Sequence, residues 1–124
     1  MIDMDGLKTI NDNYGHLSGN HAICNTADAI LETASKSDLV VRYGGDEFQI
    51  ISRNLDPDYW ETLHAQINTL LAEKTVQQKL PYHLGISLGF AISTAAKPLA
   101  YAQSFEIADR AMYENKKLRK KERK

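Results

Sequence analysis

Residues 39–51 read LVVRYGGDEFQII, two β-prone runs separated by adjacent glycines, and this stretch has one natural local fold, a β-hairpin. Leu39, Val40, Val41 and Tyr43 supply the first strand, and Phe48, Ile50 and Ile51 the second. Gly44-Gly45 is expected to provide the positive φ angles of a tight turn. The hairpin accounts for the glycines but not for Asp46 and Glu47. Both are poor strand formers, and adjacent negative charges repel unless something positive lies between them.

The rest of the chain is patterned around this hairpin. Met1, Ile2 and Met4 read as the end of a buried strand with Asp3 and Asp5 at its mouth. A short helix over residues 6–14 places Leu7 and Ile10 on one face, and a turn follows at Gly15-His16. Ser18 is the expected N-cap of a long helix reaching about residue 35, with Ala22, Ile23, Thr26, Ala27, Ile30 and Ala34 inward. Beyond the hairpin, Asp56-Pro57 marks the N-cap and first position of a helix to about Lys74, carrying Trp60, Leu63, Ile67, Leu70 and Leu71 at helical spacing. Leu84, Ile86, Leu88 and Phe90 then alternate with His83, Gly85, Ser87 and Gly89. That pattern is a strand with one stripped-down face, suited to the close approach of another backbone or a helix. A last helix from about Ser104 carries Phe105, Ala108, Met112 and Asn115 inward. The order β-α-α-β-β-α-β-α predicts a mixed sheet with helices packed on it.

At 124 residues and 43% hydrophobic, the chain suits one globular domain with a real core. Its single cysteine, Cys24, excludes an internal disulfide and is expected to be a small buried helix residue. No segment reads as a membrane span or signal peptide, so the expected location is the cytoplasm, as a free protein or as the cytoplasmic part of a membrane-anchored one. The net charge of −1 conceals an asymmetry, because residues 116–124 hold seven of the fifteen Lys and Arg residues and one of the sixteen acids. This basic run is read as a solvated helix end or tail, without nucleic-acid or membrane contact.

With the first strand placed between the hairpin and the last strand, Asp3, Asp5 and Asp46 converge at one end of the sheet. Carboxylates gathered in this way suit a hard divalent cation such as Mg²⁺, which takes oxygen ligands and leaves positions for water and phosphate.

Three segments, MIDMDGLKTINDNYGHLSGN, VRYGGDEF and ADRAMYENKK, together resemble the GGDEF family of diguanylate cyclases, in the right order and over nearly the whole chain. The resemblance implies an α+β fold, an α/β sandwich like that of nucleotide cyclases and polymerase palms, with a mixed, mainly antiparallel sheet flanked by helices. It also implies condensation of two GTP molecules into cyclic di-GMP with release of pyrophosphate, using Mg²⁺ or Mn²⁺. Carried over by position, the metal ligands are Asp3, the Met4 backbone carbonyl and Asp46. Glu47 either helps to deprotonate the attacking hydroxyl or holds a second metal. Gly44 and Gly45 let the turn approach the triphosphate, while Lys8, Lys116 and Lys120 offset its charge. Asn11 and Asn20 fall where the family reads guanine, and Asp12 and His16 brace the turn. Each domain holds one GTP, so a homodimer is needed for catalysis, and an upstream sensor domain is expected.

Three departures stand out. Asn20 replaces an aspartate able to accept from both N1–H and the 2-amino group of guanine, whereas an amide presents one acceptor and one donor. Ser35 replaces the arginine of a product-binding Arg-x-x-Asp, so feedback through that clamp is not expected. The family's opening segment does not precede Met1, so residues 1–124 are expected to be a GGDEF domain lacking its N-terminal segment, a fragment of a longer protein. The alternative to a cyclase is a non-catalytic GGDEF domain that binds GTP or a partner protein and regulates an attached module.

Overall fold

The computed structural model describes residues 1–122. In chain order its elements are β1 (Ile2–Met4), α1 (Leu7–Tyr14), α2 (His16–Thr33), β2 (Leu39–Arg42), β3 (Glu47–Ile51), α3 (Pro57–Gln77), β4 (Ile86–Leu88) and α4 (Tyr101–Glu122), the order read from the sequence. The strands are arranged β2-β3-β1-β4, so β1 does lie between the hairpin and β4. Every pairing among the described residues is antiparallel.

Register gives the sheet two unlike faces. Ile2 stands opposite Phe48 and Leu88, whereas Asp3 stands opposite Glu47 and Ser87. Because strand side chains alternate, Ile2, Met4, Phe48, Ile86 and Leu88 share one face. They are buried in one core with Ala22 and Ile30 of α2 and Leu63, Ile67 and Leu71 of α3. Asp3, Asp5, Glu47, Gln49 and Ser87 share the other face, the one that α4 covers.

The glycine-rich face of β4 is what admits α4. A Cβ at Gly89 would lie 2.1 Å from the Met112 backbone nitrogen and 2.2 Å from the Ala108 carbonyl oxygen. The outer edge of β4 has no strand partner among the described residues, and side-chain amides serve it instead. The Ile86 N–H donates to Asn68 Oδ1 (2.8 Å), Asn68 Nδ2 donates to the Ile86 carbonyl (3.1 Å), and the Leu88 N–H donates to Asn115 Oδ1 (3.3 Å). These contacts satisfy backbone groups that an edge strand otherwise leaves open.

Several local expectations are corrected. Ser18 is not an N-cap: α2 begins at His16 behind Gly15, whose φ of 88° lets the chain break and restart a helix within one residue. Cys24 is exposed, not buried. The inward face of α2 is set by Ala22, Asn25, Thr26, Ala29 and Ile30, and a turn of about 100° per residue carries position 24 outward. α2 ends at Thr33, with Ala34 as its half-buried C-cap, while α3 continues past Lys74 to Gln77 and α4 starts three residues earlier than expected, at Tyr101. Asp56 does cap α3, its side chain accepting from the Asp58 N–H at 3.0 Å, with Pro57 as the first helical residue. The basic run is helical through residue 122, and residues 123–124 lie outside the described residues.

Gly89→Ala is expected to destabilise the protein by about 1–3 kcal/mol, because the atoms it would strike are α4 backbone. Urea denaturation measures this, and a change below about 0.5 kcal/mol would contradict the close packing described.

Candidate active site

The hairpin tip is closed by the Tyr43 N–H, which donates to the Glu47 carbonyl at 2.9 Å, with the Gly44 N–H reaching the same oxygen at 3.3 Å. Arg42 ties the turn from one side, donating through Nε to the Gly44 carbonyl (3.1 Å) and through Nη2 to that of Gly45 (2.9 Å). The expectation of positive φ here is wrong, since only Gly6 and Gly15 among the described glycines adopt it. A Cβ on Gly44 or Gly45 would meet nothing within 4 Å. Neither backbone strain nor internal packing therefore demands glycine at these positions; the two residues leave a bare, open turn.

Below the turn, the acids assemble on the α4 face of the sheet. The Met4 N–H donates to the Asp46 carbonyl at 2.8 Å, locking the end of β1 to the start of β3. Asp3 is buried, and its Oδ2 accepts from Lys116 Nζ at 2.5 Å. Its other oxygen, Oδ1, is buried without a hydrogen-bond partner among the described residues. Withdrawal from water raises the Asp3 pKa to about 6; Lys116 draws it down, and the neighbouring Asp46 pushes it up again. Glu47 is half-buried opposite Asp3 in the ladder.

Asp5, two residues along the same strand face, is fully engaged. Ser87 Oγ donates to its Oδ1 at 2.7 Å, and Arg119 Nε donates to its Oδ2 at 2.8 Å. Lys116 and Arg119 lie three residues apart on α4, so one turn of helix delivers a cation to each β1 acid. Sequence reading singled out Lys116 but missed Ser87 and Arg119. The available signals were the helical spacing from Lys116 and the place of Ser87 on the stripped-down face of the last strand.

The remaining candidates lie around this centre. The Met4 side chain is in the core, leaving only its backbone for the site. The Lys8 side chain is 92% exposed on α1 and pairs with Asp12 at 3.5 Å, one turn along the same helix. Asn11 packs on Gly19, where an added Cβ would fall 1.7 Å from Asn11 Oδ1, and this contact brings Asn11 beside the residue preceding Asn20. Asn20 and Lys120 are exposed. Among the described residues no group of three or more His, Cys, Asp and Glu forms a ready-made cage. The donor set at β1 is sparser, two carboxylates and a backbone carbonyl. With a buried carboxylate oxygen left unpartnered, it fits a hard divalent cation that keeps several outside ligands.

A family model described as "Diguanylate cyclase, GGDEF domain" matches residues 1–122. Diguanylate cyclase A of Treponema denticola is 31% identical over 117 residues, which make up 94% of this chain and 31% of that protein. The cyclic di-GMP phosphodiesterase PdeR of Escherichia coli is 32% identical over 122 residues, covering 90% of this chain and 17% of that protein. The chain thus spans a third or less of the length of these curated relatives. Among solved structures, the active GGEEF domain of a diguanylate cyclase from Vibrio cholerae superposes with a TM-score of 0.78 at 29% identity, covering 94% of this chain and 73% of that one. No helix among the described residues is long and apolar enough to cross a membrane.

The elevated Asp3 pKa has a consequence for stability. A carboxyl that binds its proton more tightly folded than unfolded weakens the fold as pH rises, here between about pH 4 and pH 6. In metal-free protein, Asp3→Asn is expected to raise Tm at neutral pH, with the gain vanishing below about pH 4. A gain independent of pH would show that burial of the charge is not its cause.

Proposed function

This chain belongs to the GGDEF family of diguanylate cyclases, and we propose that it condenses two GTP molecules into cyclic di-GMP with release of pyrophosphate. The observation that carries this reading is the half-satisfied Asp3 carboxylate, buried beside Asp46 and served by Lys116. Mg²⁺ or Mn²⁺ would be held by Asp3, the Met4 carbonyl and Asp46, and when bound supplies positive charge to the attacking and leaving oxygens of phosphoryl transfer.

The chain's own groups divide the rest of the work. Glu47, beside Asp3 in the ladder, either takes the proton of the attacking ribose 3′-hydroxyl or contributes to a second cation site. Gly44 and Gly45 keep the turn free of side chains, so that a triphosphate approaches the backbone directly. Lys116, with the exposed Lys8 and Lys120, offsets the phosphate charge. Asn11, held on Gly19, and the nearby Asn20 face the guanine edge. Each domain binds one GTP, so two copies must meet face to face, under the control of a sensor domain elsewhere in the protein. GTP is a cytoplasmic substrate, and the domain acts there.

One feature favours a second reading, a GGDEF domain that binds nucleotide or a partner protein without turnover: Asn20 leaves one guanine donor without an acceptor. Incubation of the protein with GTP and Mg²⁺ separates the two: cyclic di-GMP forms under the first reading, and GTP is bound but not consumed under the second.

Asp46→Ala is expected to reduce cyclic di-GMP formation to background while the protein stays folded, as read by chromatography and circular dichroism; near wild-type turnover would mean the site is misplaced. Asn20→Asp is expected to tighten GTP binding by about 1–3 kcal/mol, measured by calorimetry, since it restores the second acceptor. Unchanged affinity would refute the assignment of Asn20 to the guanine edge.

A further inference from the structure

We propose that Lys116 is a resident counter-cation of the metal site, seated on Asp3 and released toward the nucleotide phosphates when a divalent cation binds there. This inference rests on the function proposed above and adds a coupling between metal and nucleotide binding within that site.

The two ion pairs between α4 and β1 differ in kind. In the pair of Asp5 with Arg119, both carboxylate oxygens are occupied, by Ser87 and Arg119, and the Asp5 side chain is only 4% exposed. This pair is a complete brace, formed by a planar guanidinium whose geometry suits a carboxylate. In the pair of Asp3 with Lys116, one oxygen is held and the other meets no hydrogen-bond donor among the described residues, and the Lys116 side chain is 35% exposed. An ammonium is a single point charge on a flexible stem and adapts to new positions in a way that a braced guanidinium does not. Arg119 therefore keeps α4 in register while Lys116, three residues earlier, changes partner.

Electrostatics supplies the exchange. An ammonium on Asp3 Oδ2 and a divalent ion on Oδ1 of the same carboxylate would repel each other strongly, which weakens the hold on the ammonium. A metal arriving alone must displace Lys116 into water, which opposes binding. Arriving with a nucleotide, it leaves Lys116 a new anionic partner, which favours binding. Metal and nucleotide thus strengthen each other's affinity, and by linkage the effect is reciprocal.

The test is Mn²⁺ binding to the nucleotide-free protein, followed by the loss of the free-ion electron paramagnetic resonance signal. Lys116→Met is expected to tighten Mn²⁺ roughly three- to tenfold by removing the competitor for Asp3, whereas Lys120→Met, which removes an equal charge one turn further on, shifts it less than about twofold. Equal effects of the two variants overturn the proposal, provided Asp3→Asn still abolishes binding. If Asp3→Asn leaves Mn²⁺ affinity unchanged, or no binding is seen even in Lys116→Met, the metal reading itself fails. Should Lys116→Met not fold, the ¹³Cε resonance of Lys116 in the wild-type protein serves instead: it shifts when Mg²⁺ is added without nucleotide, and a stationary signal overturns the proposal.

Discussion

The fold depends on β1 having two incompatible faces, each of which must be covered. Ile2 and Met4 point into the apolar core under α2 and α3, and burial of such side chains drives the packing. Asp3 in this strand and Asp5 just past its end are also buried, and isolated carboxylates there would be strongly unfavourable. The strand is tolerated because α4 carries Lys116 and Arg119 across the opposite face, one helical turn apart. The pairing of α4 with β1 is therefore both a packing device and the source of the site's electrostatics.

That arrangement stops short of complete satisfaction at one point. Asp5, with Ser87 and Arg119, has the character of a structural ion pair, every strong acceptor met. Asp3 does not, and its incomplete pairing is of the kind that folding alone would tend to eliminate and that a binding site retains. The hairpin tip shows the same signature in another form. Two glycines stand where, among the described residues, neither φ nor neighbouring atoms exclude a side chain, so the fold itself does not require them.

Legibility followed the range of the interactions. The order of elements, the hairpin and the Asp56 cap could be read because each depends on residues close in sequence. Where local propensity competed with tertiary placement, reading went astray: Ser18 looked like a cap but lies inside α2 because Gly15 already breaks the helices, and Cys24 looked buried but faces outward. Of the residues gathered at this end of the sheet, Asp3 and Asp46 were singled out by their place in the strand pattern, and Glu47 and Lys116 by the family resemblance. Ser87 and Arg119 were not, because no motif marks them and their shared partner Asp5 lies 82 and 114 residues away, respectively.

By itself, the sequence determined the alternation that makes one strand face apolar and the other acidic, the flexible dipeptide between two strands, and the supply of cations on the last helix. Those are properties of residue type and short-range spacing. Only the tertiary structure decided which cation meets which acid and, among the described residues, that one oxygen of Asp3 meets no donor and that Gly44 and Gly45 have no neighbour where a side chain would start. Each of these depends on strand register and on how closely α4 approaches Gly89, quantities set by contacts between distant parts of the chain.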